Sequence, residues 1–247
     1  MENDYPMRIN KYLAYKAIST RRGADELIKG GQVFINGKLA ELGSKVKETD
    51  KVEVKHGKKG SIDEKKYVYF AYNKPIGTIT HSPSEGETDI KNNIKKLQQK
   101  NQITKDVFPL GRLDKASHGL IILTNDGRIT DRLLNPKYIH EKEYMVKTSN
   151  KIRSSFKQKM EAGVNIEGYK TRTCKVKILN DFTFNIVLTE GKKHQIRRMC
   201  SALFQEISDL KRIRIMNIKL DKLPPNAMRE IKGTELTTFL DQVLHQS

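Results

Sequence analysis

Cysteine is scarce in this chain of 247 residues: there are two, Cys174 and Cys200, set 26 residues apart and outside any CxxC or Cys/His cluster. That excludes a disulfide framework and a structural zinc site, and it fits a reducing cytoplasm. Long apolar runs are also missing. Apolar residues make up 36% of the chain but are dispersed, and none of the runs approaches the ~18 residues a membrane-spanning helix needs. The N-terminal MENDYPMRINKYL has no basic segment followed by an apolar one, so no signal peptide is read there. Neither a phosphate-cradling glycine loop nor metal-ligand spacing occurs, and no cofactor or metal is expected. Negative charge is in short supply: 29 Asp+Glu stand against 47 Lys+Arg, a net of +18. Such an excess points to a polyanionic partner, nucleic acid before others, because its affinity comes largely from phosphate neutralisation. Residues 1–66 carry +5 and residues 67–247 carry +13, so the charge belongs to a folded surface rather than to one tail.

The chain reads as two domains of an α+β protein. A small, helix-rich domain is expected over 1–54, a polar and glycine-bearing linker over 55–66, and a larger domain over 67–247 with a mixed, mainly antiparallel sheet flanked by helices. In the first, MRINKYLAYK spaces Ile9, Leu13 and Ala17 for one helical face. Ser19 or Thr20 then caps a second helix that ends at Gly30-Gly31. QVFINGK follows as a strand running into an Asn36-Gly37 hairpin turn, and KVEV closes the unit. From Tyr67, strands (YVYFAY, GLIILT, EKEYMVK, TCKVKIL, FTFNIVL, IRIMNIKL) alternate with helical stretches near 91–99, 127–134, 152–161, 194–204 and 233–244. The alternation of polar and apolar residues in FTFNIVL suits an antiparallel sheet with one face packed.

Three runs could carry chemistry. In FPLGRLDKASHGLIILTNDG, Arg112 and Asp114 are two apart and share a face of an extended segment, where a guanidinium favours the ionised carboxylate. The same pair also fits a structural ion pair beside a buried strand. In TEGKKHQIRRMCS a helix begins near His194, with Ile196, Met199, Cys200 and Leu203 as its buried stripe and His194, Arg197 and Arg198 on another side. That side could equally be a solvated basic face. In HEKEYMVK, Tyr144 lies on a strand, where an isolated tyrosine is ordinarily a core residue with a wet hydroxyl.

Together, in this order, these runs resemble the RsuA-type family of pseudouridine synthases. GRLDKASHGLIILTNDG looks like its catalytic motif, EKEYMV like its tyrosine motif, GKKHQIRRM like its arginine motif, and NKPIGTITH like the turn ahead of the active-site segment. RINKYLAYKAISTRRGADELIKGGQVFINGK resembles an S4 RNA-binding domain. The resemblance spans about residues 7–240 and is closest to the RluF-like branch: Ser117-His118-Gly119, the His140-Glu141 lead-in and RRMC followed by RIRIMNI all look like it, where other branches more often have Thr-Glu in place of Ser117-His118.

The resemblance implies Asp114 as the catalytic aspartate, Arg197 as the partner that keeps it charged and oriented, and Tyr144 stacked on the target uracil. Arg112, His194 and Arg198 would contact the RNA. The S4-like domain would dock phosphates through Arg8, Lys11, Lys16, Arg21 and Arg22. The substrate implied is ribosomal RNA, large-subunit RNA first, with a tRNA as a second substrate. The enzyme is expected to be a cytoplasmic monomer, without a membrane partner. Converting uridine to pseudouridine breaks the bond from C1′ to N1, turns the uracil and joins C1′ to C5, so no atom enters or leaves. One carboxylate suffices, either as nucleophile or as the base that removes the sugar 2′ proton. A non-enzymatic S4-type RNA-binding or ribosome-assembly protein is the alternative. A glycosidase fits less well, because hydrolysis usually enlists a second carboxyl group.

Overall fold

The computed structural model describes residues 5–16, 18–19, 21–55, 67–80, 88–99 and 106–244. The chain divides into two compact units, Met1–Tyr67 with Asp126–Arg132, and Val68–Asn125 with Leu133–Ser247.

In the first unit, β1 (Met7–Arg8) leads into α1 (Ile9–Tyr15) and then α2 (Arg21–Lys29). Strands β2 (Val33–Ile35), β3 (Lys38–Leu39), β4 (Lys45–Val46) and β5 (Val52–Val54) follow. The i, i+4 pair Ile9 and Leu13 is fully buried against Ala24, Ile28 and Val33. At ~1.5–3 kcal/mol for each large aliphatic side chain, burial in that small cluster stabilises the unit. Ala17 and Thr20 lie outside the described residues. Helix α2 ends where Gln32 N–H reaches the Leu27 carbonyl at 3.0 Å and Gly31 takes a left-handed φ of 65°. The hairpin between β2 and β3 turns on Asn36 and Gly37, both at positive φ, the conformation an Asn-Gly turn selects. Strand β5 pairs on the other edge of β2, and β1 pairs with β4. Residues 56–66, most of the expected linker, lie outside the described residues. Residues 126–132, expected within the second domain, group with this unit, where the Arg128 guanidinium lies 4.0 Å from the Tyr67 ring centroid and is chelated by Asp126.

Continuing along the chain are β6 (Tyr69–Lys74), α3 (Ile90–Gln99), β7 (Phe108–Leu110), β8 (His118–Thr124), α4 (Thr130–Leu134), β9 (Lys142–Thr148) and α5 (Phe156–Glu161). The short pair β10 (Asn165–Ile166) and β11 (Tyr169–Lys170) precedes β12 (Lys175–Asn180), β13 (Thr183–Leu188) and α6 (Gln195–Ala202). β14 (Ile207–Ile215), β15 (Ile218–Lys219), β16 (Met228–Glu230) and α7 (Gly233–Leu244) complete it. One sheet runs in the order β12-β13-β9-β14-β8-β6-β16, with β15 beside β14 and β7 beside β8. Its pairings are antiparallel except that of β14 with β8.

That parallel junction depends on Gly119. Its φ is 102°, and a Cβ there would lie 2.3 Å from the Arg212 carbonyl oxygen, so no larger residue fits the pairing. Apolar clusters flank the sheet, and two of them bear on Tyr144. One gathers Phe156, Phe184, Ile196, Met199 and Cys200, the other Tyr72, Ile90, Ile94, Ile121 and Leu123, and Tyr144 packs against both. Both cysteines are free, and burial pushes each thiol up to about 12, which suppresses thiolate chemistry.

Candidate active site

A cleft of about 700 Å³ opens in the second unit between the loop after β7, strands β9 and β14, and the loop entering α6. Asp114 stands on the first of these elements. Thr80 fixes that loop from below: its hydroxyl donates to the Leu113 carbonyl at 2.8 Å and accepts from the Leu113 N–H at 3.1 Å. Leu113 is thereby buried while Arg112 and Asp114 on either side are exposed, as the two-residue alternation predicts. The Asp114 carbonyl accepts from Ser117 N–H at 3.0 Å, closing the turn that leads into β8.

The side chain facing the Asp114 carboxylate is that of His194, whose Nε2 lies 3.4 Å from Oδ1. The pair is nearly half exposed on both sides, so it orients more than it stabilises. Neither pairing expected from sequence is present. Arg112 makes no ion pair among the described residues, and Arg197 Nη2 donates at 2.9 Å to the carbonyl of Ala116, two residues beyond Asp114. Arg198 turns elsewhere: Nη2 meets Glu167 at 2.6 Å and the Ile166 carbonyl at 3.2 Å, satisfying a neighbouring hairpin. The three basic residues expected to act together thus diverge.

His194 reaches Asp114 because it sits at the N-cap of α6 with a left-handed φ of 52°. Two neighbours hold that turn. Gln195 accepts from Lys192 N–H at 2.8 Å, and its amide donates at 2.7 Å to Glu190. Glu190, only 4% exposed, also accepts from the Tyr169 hydroxyl at 2.6 Å and from Arg172 N–H at 3.0 Å. Burial works against its charge, but these hydrogen bonds outweigh it and hold the carboxyl below its ordinary range. Glu190 is a positioning residue that the sequence reading passed over.

The cleft floor is cationic. Tyr144 lies opposite Arg212 in the pairing of β9 with β14, and Lys142 shares its face two residues earlier. Arg212 is 3% exposed; its Nε donates to the Leu120 carbonyl at 2.7 Å, and Nη2 is buried with no partner. Burial, then repulsion from Arg212, lowers Lys142 to about 8. Outside the cleft lining, Lys74, fully buried at the end of β6, donates to the carbonyls of Ser117 at 2.7 Å and Pro75 at 3.1 Å. Burial lowers it to about 8 as well, with Asp114 opposing that shift and Arg212 adding to it. The sequence reading singled out none of these three cations; Lys74 in NKPIG, a turn already likened to a family motif, was the available signal. Leu113, Leu188, Ile196, Leu210 and Ile215 supply apolar wall. Among the described residues, no three His, Cys, Asp or Glu side chains gather as a metal site.

In the first unit Arg8, Lys16 and Arg21 are exposed and Lys11 half-buried; Arg22 lies on α2. The Lys16 ammonium is 5.8 Å from both the Tyr12 and Tyr15 ring centroids.

A carboxylate and a tyrosine at a cleft lined by buried cations, in a mixed sheet that follows a small α-rich unit along the chain, suit an anionic substrate. The chain belongs to the RNA pseudouridylate synthase family, whose model matches residues 68–202, and it carries an S4 domain over residues 7–52. It is accordingly an isomerase, an RNA pseudouridine synthase. The dual-specificity RNA pseudouridine synthase RluF of Escherichia coli K12 is 41% identical over 99% of this chain and 82% of its own length. The ribosomal large subunit pseudouridine synthase B of Bacillus subtilis is 33% identical over 93% of each. A crystal structure of a pseudouridylate synthase shares the fold, with a TM-score of 0.66 over 96% of this chain and all of its own, at 24% identity.

Proposed function

We propose that this enzyme converts a uridine of large-subunit ribosomal RNA to pseudouridine, with a tRNA as second substrate, and that it works as a cytoplasmic monomer. The relatives support the substrate, since one is named as dual-specificity and another as acting on the ribosomal large subunit. In the expected two-domain division, residues 1–54 dock the RNA through Arg8, Lys11, Lys16, Arg21 and Arg22, and residues 67–247 carry out the chemistry.

The observation that carries the catalytic assignment is the placement of Asp114 at the same cleft as Tyr144, Lys142 and Arg212. The target nucleotide leaves its stack, and the Tyr144 ring recovers part of the few kcal/mol this costs. Asp114 either attacks the sugar or base or removes the 2′ proton. As the bond from C1′ to N1 breaks, negative charge gathers on the uracil. Arg212 and Lys142, already desolvated, stabilise that charge without the reorganisation water would need. The apolar walls keep water from the detached base while it turns and rejoins through C5. Arg112 and His194, exposed beside Asp114, contact the opened RNA around the target. Arg197 moves from Ala116 to Asp114 when RNA enters, and Arg198 approaches the RNA at the same end of α6. The test incubates the enzyme with ribosomal RNA and tRNA transcripts tritiated at C5 and maps the product. Tritium release with pseudouridine in large-subunit RNA is expected; modification of tRNA alone would overturn the substrate.

A further inference from the structure

A second groove lies at the far end of α6. It encloses about 770 Å³ and is lined by Asn150, Arg197, Ser201, Phe204, Gln205 and Glu206, among others. Phe204 is 74% exposed, the highest among the described large apolar residues. Its backbone is left-handed, with φ 58°, at the end of a helix where glycine is the usual occupant. A β-carbon disfavours that conformation, and an exposed ring gains nothing from burial. Neither folding consideration accounts for a phenylalanine here. The turn holding it is nonetheless well made: Phe204 N–H donates to Ser201 at 2.9 Å, Gln205 N–H to Cys200 at 2.9 Å, and Asn150 Nδ2 to the Phe204 carbonyl at 3.2 Å. The ring is therefore presented at a fixed place. The Arg153 guanidinium stands 5.7 Å from its centroid. Gln205, 2% exposed, leaves Oε1 without a partner.

The groove is continuous with the active site through one residue. Arg197 lines it and also bonds the Ala116 carbonyl, two residues from Asp114. From Arg197 to Ala202, its last residue, α6 rises about 7.5 Å, and Phe204 lies two residues beyond. We propose that this groove is a base-stacking subsite: an unpaired base of the RNA, flanking the uridine held at Asp114, stacks on Phe204, while Arg153 neutralises a phosphate beside it. An aromatic face with adjacent arginines and amides is the chemistry that holds single-stranded RNA. This subsite rests on the RNA-modifying activity of the family and adds a contact outside the reacting nucleotide.

The experiment uses the full-length enzyme, Phe204→Ala and Phe204→Tyr, with equilibrium binding and single-turnover tritium release on a C5-tritiated ribosomal RNA transcript. The ring is exposed, so all three proteins are expected to melt together. Phe204→Ala should weaken binding on the order of tenfold, and Phe204→Tyr should restore it. A series of transcripts with one abasic site at successive positions flanking the target identifies the stacked base. One position should weaken native binding by the same factor and have no further effect on Phe204→Ala. Native-like binding by Phe204→Ala, or an abasic series in which no position loses its effect in that variant, would overturn the subsite. Failure of the native enzyme to release tritium from any RNA would instead strike at the activity and leave the binding comparison readable.

Discussion

The two depressed lysines make a prediction in which stability and function move in opposite directions. Lys142 falls from 10.5 to about 8, first through burial and then through Arg212. That difference corresponds to about 3 kcal/mol held against the charged form. Below pH 8 the folded and unfolded chains both carry the charge, and the folded state bears the whole penalty. Between about 8 and 10.5 the folded protein releases the proton while the unfolded chain keeps it. The unfolded state then binds more protons, so stability rises with pH across that window and levels off above it. Lys74, also at about 8, contributes in the same sense. Replacing Lys142 with Met keeps the stem and removes the charge. Urea unfolding at pH 7 should find Lys142→Met more stable by about 1–3 kcal/mol, with a smaller gain between pH 8 and 10 than the native protein shows. The same variant should bind RNA on the order of tenfold more weakly, because the unused positive charge serves the substrate. Native RNA binding should also take up protons above pH 8, measurable by calorimetry in buffers of different ionisation enthalpy. A less stable Lys142→Met, or one with the native pH dependence, would show that the ammonium is already compensated within the fold.

Glu190→Ala strands the Tyr169 hydroxyl, the Gln195 amide and Arg172 N–H. It should cost about 3–5 kcal/mol in urea at pH 7. Because the folded-state value of Glu190 is lowered, its contribution is present above the ordinary carboxylate range and fades as pH falls through the folded value; a deficit unchanged at pH 4 would contradict this. In the first unit, Arg8→Ala with Arg21→Ala should lower the salt dependence of RNA affinity by roughly 1–2 in logarithmic slope, with single-turnover chemistry retained at saturating RNA. An unchanged slope would place the docking surface elsewhere.

Most of the sheet was legible because its strands are long and their apolar residues alternate or run continuously: GLIILT became β8 and FTFNIVL became β13 nearly residue for residue. The parallel pairing of β8 with β14 was not, since it depends on Gly119 admitting the Arg212 backbone from 93 residues away. The site divides in the same way. Asp114 and Tyr144 are carried by local motifs and lie at one cleft. Their cationic floor comes from two separate strands, β9 and β14, where Lys142 and Arg212 each read in sequence as an ordinary surface charge, while Lys74 of β6 holds the Ser117 carbonyl from outside the cleft. The partner of Asp114 could not be chosen from helical spacing either. His194 lies outside the regular helix at a left-handed cap, which turns it toward the carboxylate while Arg197 goes to Ala116 and Arg198 to Glu167.

The most direct measurement compares the native enzyme with Asp114→Asn in C5-tritium release from ribosomal RNA, with RNA affinity determined in parallel. Asparagine keeps the shape of the exposed side chain and removes the carboxylate. If Asp114 is the reacting group, release should fall by at least ~10²–10⁴-fold while affinity stays within a few-fold of native. Release at close to the native rate would contradict the assignment of the chemistry to Asp114.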